Sequence, residues 1–359
     1  MSTVKKRHKN IPIFIPHLGC PNNCVFCNQR SISGKLEFRR ESVVDELERA
    51  LSTINGSDEV EIAFFGGSFT GIERGLMIYL LDTAEKYVID GKVSSIRMST
   101  RPDYINDEII GILSRYHVKT IELGLQSMDD AVLAAAKRGH TARTAEDACR
   151  RIKAAGYELI GQMMIGLPGA SAESEQMTAR LICECGADGA RVYPTVVFYE
   201  TELCEMAKQG QYEPLTEQEA IVRTKGVLDI FANNGIPCIR VGLCASEGLS
   251  SDESVYGGAS HSAIGELAMG ELYYERIRNA ISAELSHNTS GQITSLVITV
   301  PTGCTSKAIG QKRRNKQRLA DELGIRTKNI RIRESAALSS LRYEVSVELF
   351  NDAGGKDCT

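Results

Sequence analysis

Three cysteines, Cys20, Cys24 and Cys27, stand in a C-x3-C-x2-C array directly after a short apolar run, Ile11-Pro12-Ile13-Phe14-Ile15-Pro16-His17. A loop that presents three thiolates this closely holds three irons of a 4Fe-4S cube and leaves the fourth open to a small ligand. An open iron points to chemistry rather than to electron storage alone. Two plainer readings stay open beside it. A structural zinc ion wants four ligands, usually as two separated pairs, and the fourth here would have to be His17 or a distant cysteine. A disulfide between two of the three is the other. Asn22 and Asn23 inside the array suit a tight wrapping loop, because asparagine tolerates left-handed backbone angles.

The elements that must position this loop follow from the pattern of apolar residues. Strand-like runs at 11–17, 60–65, 95–100, 120–125, 158–165 and 189–194 alternate with helix-like periodic segments, which argues for a parallel sheet wrapped by helices. Six strand-helix units make a partial (β/α)6 barrel of TIM-like type, since a closed one needs eight. Gly66-Gly67-Ser68, Arg101-Pro102-Asp103, Gln126-Ser127 and Gly166-Leu167-Pro168-Gly169 fall at the C-terminal ends of successive strands, where such barrels build their sites. A helix is expected at 217–233, a short strand at 237–241, a Gly/Ser-rich loop at 247–260 and a polar linker at 287–292. Beyond it, 293–300, 306–323, 329–333 and 341–350 read as strand, helix, strand, strand. The expected organisation is a basic N-terminal arm (1–10), the barrel (11–245), a barrel-covering extension (246–290) and a small basic α+β module (291–359).

Composition narrows the setting. The chain has 359 residues, eleven cysteines and a formal net charge of −4. It is long enough for one barrel-sized domain and an appendage. Nothing in it approaches the roughly 18–20 apolar residues that span a bilayer. Irregularly scattered cysteines without a secretion signal imply a reducing cytoplasm.

The order and spacing of the cysteine array, Gly66-Gly67-Ser68-Phe69-Thr70, Ser99-Thr100-Arg101-Pro102-Asp103-Tyr104-Ile105, Glu122-Leu123-Gly124-Leu125-Gln126-Ser127, Lys137-Arg138-Gly139-His140-Thr141 and Gly166-Leu167-Pro168-Gly169 resemble radical S-adenosylmethionine (SAM) enzymes. Within these, the sequence is most similar to the radical domain of the Elongator catalytic subunit family, over residues 10–245. The resemblance implies a 4Fe-4S cluster on Cys20, Cys24 and Cys27, with reductive cleavage of SAM to a 5′-deoxyadenosyl radical by way of an external flavodoxin- or ferredoxin-like electron donor. It also implies that Gly66, Gly67 and Ser68 hold the SAM amino group, Arg138 its carboxylate, Gln126 and Gln162 its ribose, and Gly166 and Leu167 its adenine. Glu122 is read as a structural partner for Arg138 or Arg101. Residues 246–359 do not resemble the acetyltransferase domain of that family, and its longer cysteine spacing is not found here. Carboxymethylation of a wobble uridine is therefore not carried over.

From Val300 onward basic residues accumulate, among them Lys307, Lys312, Arg313, Arg314, Lys316 and Arg318. The segment Ile309-Gly310-Gln311-Lys312-Arg313-Arg314-Asn315 looks like the loop of KH domains, in which glycine lets backbone and basic side chains clamp phosphates. The second glycine of the G-x-x-G pattern is replaced by Arg313. Both ends of the chain thus lean towards an enzyme acting on an RNA base, transfer RNA in kind. Two alternatives are a radical SAM enzyme for a small metabolite or porphyrin-like ring, and a non-enzymatic RNA-binding protein with a structural or redox-sensing cluster.

Overall fold

The computed structural model describes residues 8–15, 18–20, 24–28, 38–54, 58–243, 254–287 and 292–351. The basic arm up to residue 7, His17, Asn22, Asn23, Cys244, residues 247–253 of the expected loop, linker residues 288–291 and Cys358 lie outside them.

Seven strands form one parallel sheet: β1 (His8–Ile15), β2 (Glu59–Gly66), β3 (Ser95–Thr100), β4 (Val118–Gln126), β5 (Glu158–Ile165), β6 (Gly189–Pro194) and β8 (Cys238–Val241), in that spatial order. A short antiparallel pair, β7 (Val196–Phe198) with β9 (Val255–Gly258), follows the end of β6. The crossovers contain α1 (Val43–Ser52), α2 (Arg74–Ile89), α3 (Asp107–Leu113), α4 (Asp130–Ala135), α5 (Ala142–Ala154), α6 (Ala172–Glu184), α7 (Glu202–Lys208) and α8 (Glu217–Asn233). This is the α/β partial barrel expected of the strand-helix alternation, with β8 added as a seventh strand.

Alternation along the strands decides which side chains reach the helices. Ile11, Ile13, Ile15, Ile62, Phe64, Ile96, Met98, Ile121, Leu123, Leu159 and Val192 join Val43, Leu47, Leu80 and Ile152 in one large core. The residues between them in sequence, on the opposite face, include Glu61, Arg97, Glu122, Gln162 and Arg191, so the barrel interior is polar. Helices begin where the sequence supplies a capping oxygen: Asn106, Asp129, Thr141, Ser171, Thr201 and Thr216 each accept a backbone N–H of the first turn. Such caps contribute about 1 kcal/mol each.

The 24-residue helix α9 (Ile264–His287) joins the two parts of the chain. Ala268 and Leu272 pack with Leu228 of α8, while Tyr273, Tyr274, Ile277 and Ile281 belong to the core of the C-terminal module. That module is β10 (Ile293–Pro301), α10 (Thr305–Ile309), α11 (Arg314–Leu323), β11 (Ile330–Ser335) and β12 (Ser346–Asn351). β10 is central, parallel to β11 and antiparallel to β12. The single helix expected at 306–323 is split at Gly310, whose φ of +77° ends α10. Among the described residues no helix is long and apolar enough to cross a membrane.

Candidate cluster and cofactor site

The cysteine loop lies across the C-terminal ends of β1 and β2. Backbone hydrogen bonds from Gly67 N–H to Ile15 O (2.8 Å) and from Ser68 N–H to Leu18 O (2.9 Å) tie the two segments together. A Cβ on Gly67 would stand 2.0 Å from Leu18 O, and one on Gly19 2.2 Å from Ser68 O. The glycines at this strand end are thus required first by the approach of one backbone to another. Ser68 is fully buried, its hydroxyl 2.8 Å from Thr100 Oγ1 and accepting the Arg101 N–H at 3.1 Å. Its side chain braces β2 against β3, while its backbone N–H donates to Leu18 O and its carbonyl accepts the Gly71 N–H at 2.9 Å.

Downstream, Val25 and Phe26 anchor the loop to the other side of the barrel. Val25 packs with Val197, Leu203 and Cys204, and Phe26 meets both this group and Leu167. Val25 O accepts the Leu203 N–H at 2.8 Å. Leu167, 2 % exposed, thus belongs with Val132 and Ala136 to the cluster against which Phe26 of the cysteine loop packs. Among the described residues none of Cys20, Cys24 and Cys27 is in a disulfide.

Two arginines converge on these sulfurs. Arg138, 6 % exposed, directs Nη1 to Cys24 Sγ at 3.2 Å and donates from Nη2 to Gly124 O at 2.7 Å. It is not a solvated surface side chain. Arg101, 3 % exposed, forks onto Asp103 at 2.9 and 3.0 Å and donates to the Arg138 carbonyl. Its buried Nη1 has no partner among the described residues. Desolvation on the inner side of the loop raises the Cys20 thiol above its ordinary value, and Arg101 and Arg138 pull it down, although the outer edge of Cys20 is open to solvent. His140 is buried beside the two arginines; burial first and the Arg138 charge second push its imidazole down to about 4. It is neutral at neutral pH.

Gln126 ends β4 at φ +67°, a left-handed conformation that costs a non-glycine residue about 1–2 kcal/mol. A register shift between Gly124 and Gln126 accompanies it. Its Oε1 accepts from Gln162 Nε2 at 3.3 Å, so the two amides expected at a ribose lie side by side. At the end of β5, the Gly166 N–H donates to Glu175 at 2.6 Å and Tyr212 donates to the Gly166 carbonyl at 2.7 Å. Arg223 completes the clamp, reaching Glu175 at 2.6 and 2.8 Å.

Glu122 does not pair with Arg138 or Arg101. It accepts from Arg97 at 3.0 Å and from Arg191 at 2.7 Å, inside the barrel, because the register sets β3 and not the strand-end loops beside it. Glu61 joins this layer through Ser95 at 2.7 Å and Arg97 at 2.8 Å. His140, Glu175, Tyr212 and Arg223 were not singled out by sequence reasoning. For His140 a signal was present, since it closes the Lys-Arg-Gly-His run.

In the C-terminal module, Lys307, Lys312, Arg313 and Arg314 are exposed and Lys316 is partly so; none of the five makes an ion pair among the described residues. Arg318 departs from the expectation. It is held by Glu271 at 2.7 and 3.1 Å and lies 3.5 Å from the Tyr274 ring centroid, which ties α11 to α9. Arg313, in the place of the missing glycine, keeps a left-handed backbone (φ 62°, ψ 23°), as does Lys312 at φ 51°.

Whether these residues fit a cluster and a SAM-like ligand turns on the donor set. Three cysteines, the buried Arg138 guanidinium 3.2 Å from Cys24 Sγ, and beside it the buried Nη1 of Arg101, without a partner among the described residues, suit thiolates and a carboxylate. Among the described residues, no group of three or more His, Cys, Asp or Glu side chains is arranged to hold a single metal ion.

Comparison with known proteins places this geometry in context. Residues 14–182 match the family model described as Radical SAM superfamily, and residues 187–274 that described as Radical_SAM C-terminal domain. An uncharacterized protein of Methanocaldococcus jannaschii is 28 % identical over 234 residues, 61 % of this chain and 71 % of that protein. The tRNA uridine(34) acetyltransferase of the same organism is 28 % identical over 198 residues, 50 % of this chain and 36 % of that protein. Elongator complex protein 3 of Schizosaccharomyces pombe is 30 % identical over 179 residues, 44 % of this chain and 33 % of that protein. The chain thus spans about a third of the length of the last two. The solved structure of archaeal Methanocaldococcus infernus Elp3 with an N-terminal deletion superposes with a TM-score of 0.58 at 20 % identity, covering 76 % of this chain and 68 % of that one, a likeness of fold.

Proposed function

Because this chain belongs to the radical SAM superfamily, we propose that it reductively cleaves SAM at a 4Fe-4S cluster held by Cys20, Cys24 and Cys27 and acts on a base of a tRNA-like RNA. The observation that carries the reading is the docking of the cysteine loop on Gly67 and Ser68 with Arg138 Nη1 at 3.2 Å from Cys24. When bound, the cluster and SAM supply a one-electron cleavage that yields a 5′-deoxyadenosyl radical. The chain's own residues bind, orient and shield. Arg138 and Arg101 lower the cost of negative charge on sulfur and offer donors to a carboxylate. Gln126 and Gln162 present paired amides to a ribose diol. Phe26 and Leu167 close the apolar side and exclude water.

The RNA half of the proposal rests on the similarity to the tRNA uridine(34) acetyltransferase and on the C-terminal module. There two parallel strands are joined through helix, Gly310 loop and helix, the arrangement of a KH-like core, with cations on the loop that make no ion pair among the described residues. The module then carries the RNA while the barrel acts on one base. Anaerobic reduction of the full chain with SAM is expected to yield 5′-deoxyadenosine, and a deletion strain should lack a modified nucleoside found in its parent by mass spectrometry. Absence of 5′-deoxyadenosine overturns the enzymatic reading; an unchanged nucleoside profile together with salt-insensitive or absent tRNA binding overturns the RNA reading.

A further inference from the structure

The barrel interior below the cofactor site carries a charge pattern that the SAM residues do not use. Glu61, Arg97, Glu122 and Arg191 run across it as two carboxylates and two guanidiniums, linked by contacts of 2.8, 3.0 and 2.7 Å. That layer is balanced within itself. The Arg191 guanidinium reaches from β6 across to β2, where it lies 5.3 Å from the Phe65 ring centroid, and its Nη1 donates to Tyr193 Oη at 3.2 Å. Phe65 sits directly before Gly66-Gly67, and Phe14 is 6.4 Å from it on β1. Phe14, Phe65, Arg191 and Tyr193 are all partly accessible. Aromatic rings and a guanidinium plane, with no net charge left over, form a surface for a flat, uncharged ring system.

One cation breaks the balance. On β8, the edge strand, Arg240 is the register partner of Arg191, which sets it on the same interior face. Two arginines side by side on neighbouring strands repel each other. Arg191 is neutralised by Glu122, whereas Arg240 has no ion pair or side-chain hydrogen bond among the described residues and is half-buried. The first residue of the same strand, Cys238, lines a cavity of about 380 Å³ together with Tyr343, Cys304 and Lys307 of the basic module. The open edge of the barrel and the module are therefore neighbours.

We infer that the barrel interior is a subsite for a single nucleotide, its base held against Phe65, Arg191 and Tyr193 and its phosphate on Arg240 at the edge of the sheet. This deepens the RNA-base reading above and rests on it for the polymeric nature of the substrate, while the subsite itself recognises one nucleotide. A guanidinium without an acid partner meets a phosphate bidentately. A neutral base over an internally compensated layer, with an anion only at the rim, matches that distribution of charge.

The test compares each nucleoside 5′-monophosphate with its own nucleoside by calorimetric titration of the full, cluster-loaded chain with SAM present. At least one monophosphate is expected to bind about 10-fold more tightly than its nucleoside, the worth of one charge-assisted contact. Arg240→Ala should bring that ratio to about 1, and Arg240→Lys should keep part of it because a cation suffices for part of the attraction. Phe65→Leu should weaken nucleoside and monophosphate alike and leave the ratio standing. Equal affinity of all four pairs for the unmodified protein, absence of binding by any of the eight, or a ratio that survives Arg240→Ala overturns the subsite. The outcomes separate from those of the RNA reading: the expected ratio in a protein that neither binds nor modifies RNA keeps the subsite for a free nucleotide, and modified RNA with a ratio of about 1 does the reverse.

Discussion

Removing the Glu175 carboxylate should dismantle the turn at the end of β5. Glu175 is 3 % exposed and has three contacts: the Gly166 N–H at 2.6 Å and Arg223 at 2.6 and 2.8 Å. Glu175→Ala leaves Arg223, whose side chain is 16 % exposed, with the Ala170 carbonyl at 2.9 Å as its remaining hydrogen-bond partner among the described residues. Breaking a buried pair on one side costs about 3–5 kcal/mol, most of it for the charge left behind. Leaving the Gly166 N–H without an acceptor costs about 1–3 kcal/mol, partly the same loss counted from the other end. The expected total for Glu175→Ala is about 3–5 kcal/mol, read from urea unfolding of the anaerobic protein. Glu175→Gln keeps an acceptor for Gly166 and loses the charge, so it should fall between. The Glu175→Leu/Arg223→Leu pair removes both charges and should cost less than Glu175→Ala alone. Because the Gly166 carbonyl is still held by Tyr212 at 2.7 Å, the turn should shift rather than unravel, and SAM affinity should fall with it. A Glu175→Ala protein that loses under about 1 kcal/mol refutes the energetic argument; one that loses stability but binds SAM normally refutes the positioning role.

Three further outcomes follow from the geometry. Gly67→Ala puts a Cβ 2.0 Å from Leu18 O, so it should cost about 1–3 kcal/mol or more and prevent iron and sulfide incorporation, whereas Gly111→Ala, with nothing within 4 Å, should not; equal reconstitution of both would sink the docking argument. His140, depressed to about 4 from an unfolded value near 6.5, favours the fold in its neutral form. Its contribution is complete above about pH 6.5 and is lost as pH falls towards 4, by about 3 kcal/mol; unfolding free energies at pH 7 and 5 for the unmodified protein and His140→Asn should differ in slope. Arg313→Gly relieves a left-handed backbone at φ 62° and should gain about 1 kcal/mol of stability, yet lower tRNA affinity and reduce its salt slope by about 1; a loss of stability would contradict the strain.

The sheet was legible because short apolar runs alternate along the chain with segments of helical period. The cysteine loop was legible because its chemistry is local: three sulfurs in one short segment need no tertiary information to be recognised. Partners across the sheet are another matter. Glu122 has Arg138 and Arg101 within reach of any reading of motifs, but its partners are Arg97 and Arg191, because register alone decides which side chains share the interior. Gly66 and Gly67 show the same limit from the other side. A glycine pair before Ser68 reads as room for a ligand; the room at Gly67 is taken by the Leu18 carbonyl, and a ligand meets a backbone already fixed by that contact. Arg318 was counted with the basic run because composition does not distinguish a cation facing solvent from one lying on Tyr274 and forked onto Glu271. In each case the residue type was read correctly and its neighbour was not, since the neighbour lies 25 or more positions away and is chosen by packing. Arg240 is the converse: nothing local marks it, and only its register with Arg191 sets an ordinary arginine at a sheet edge on the barrel's interior face, where it has no ion pair among the described residues.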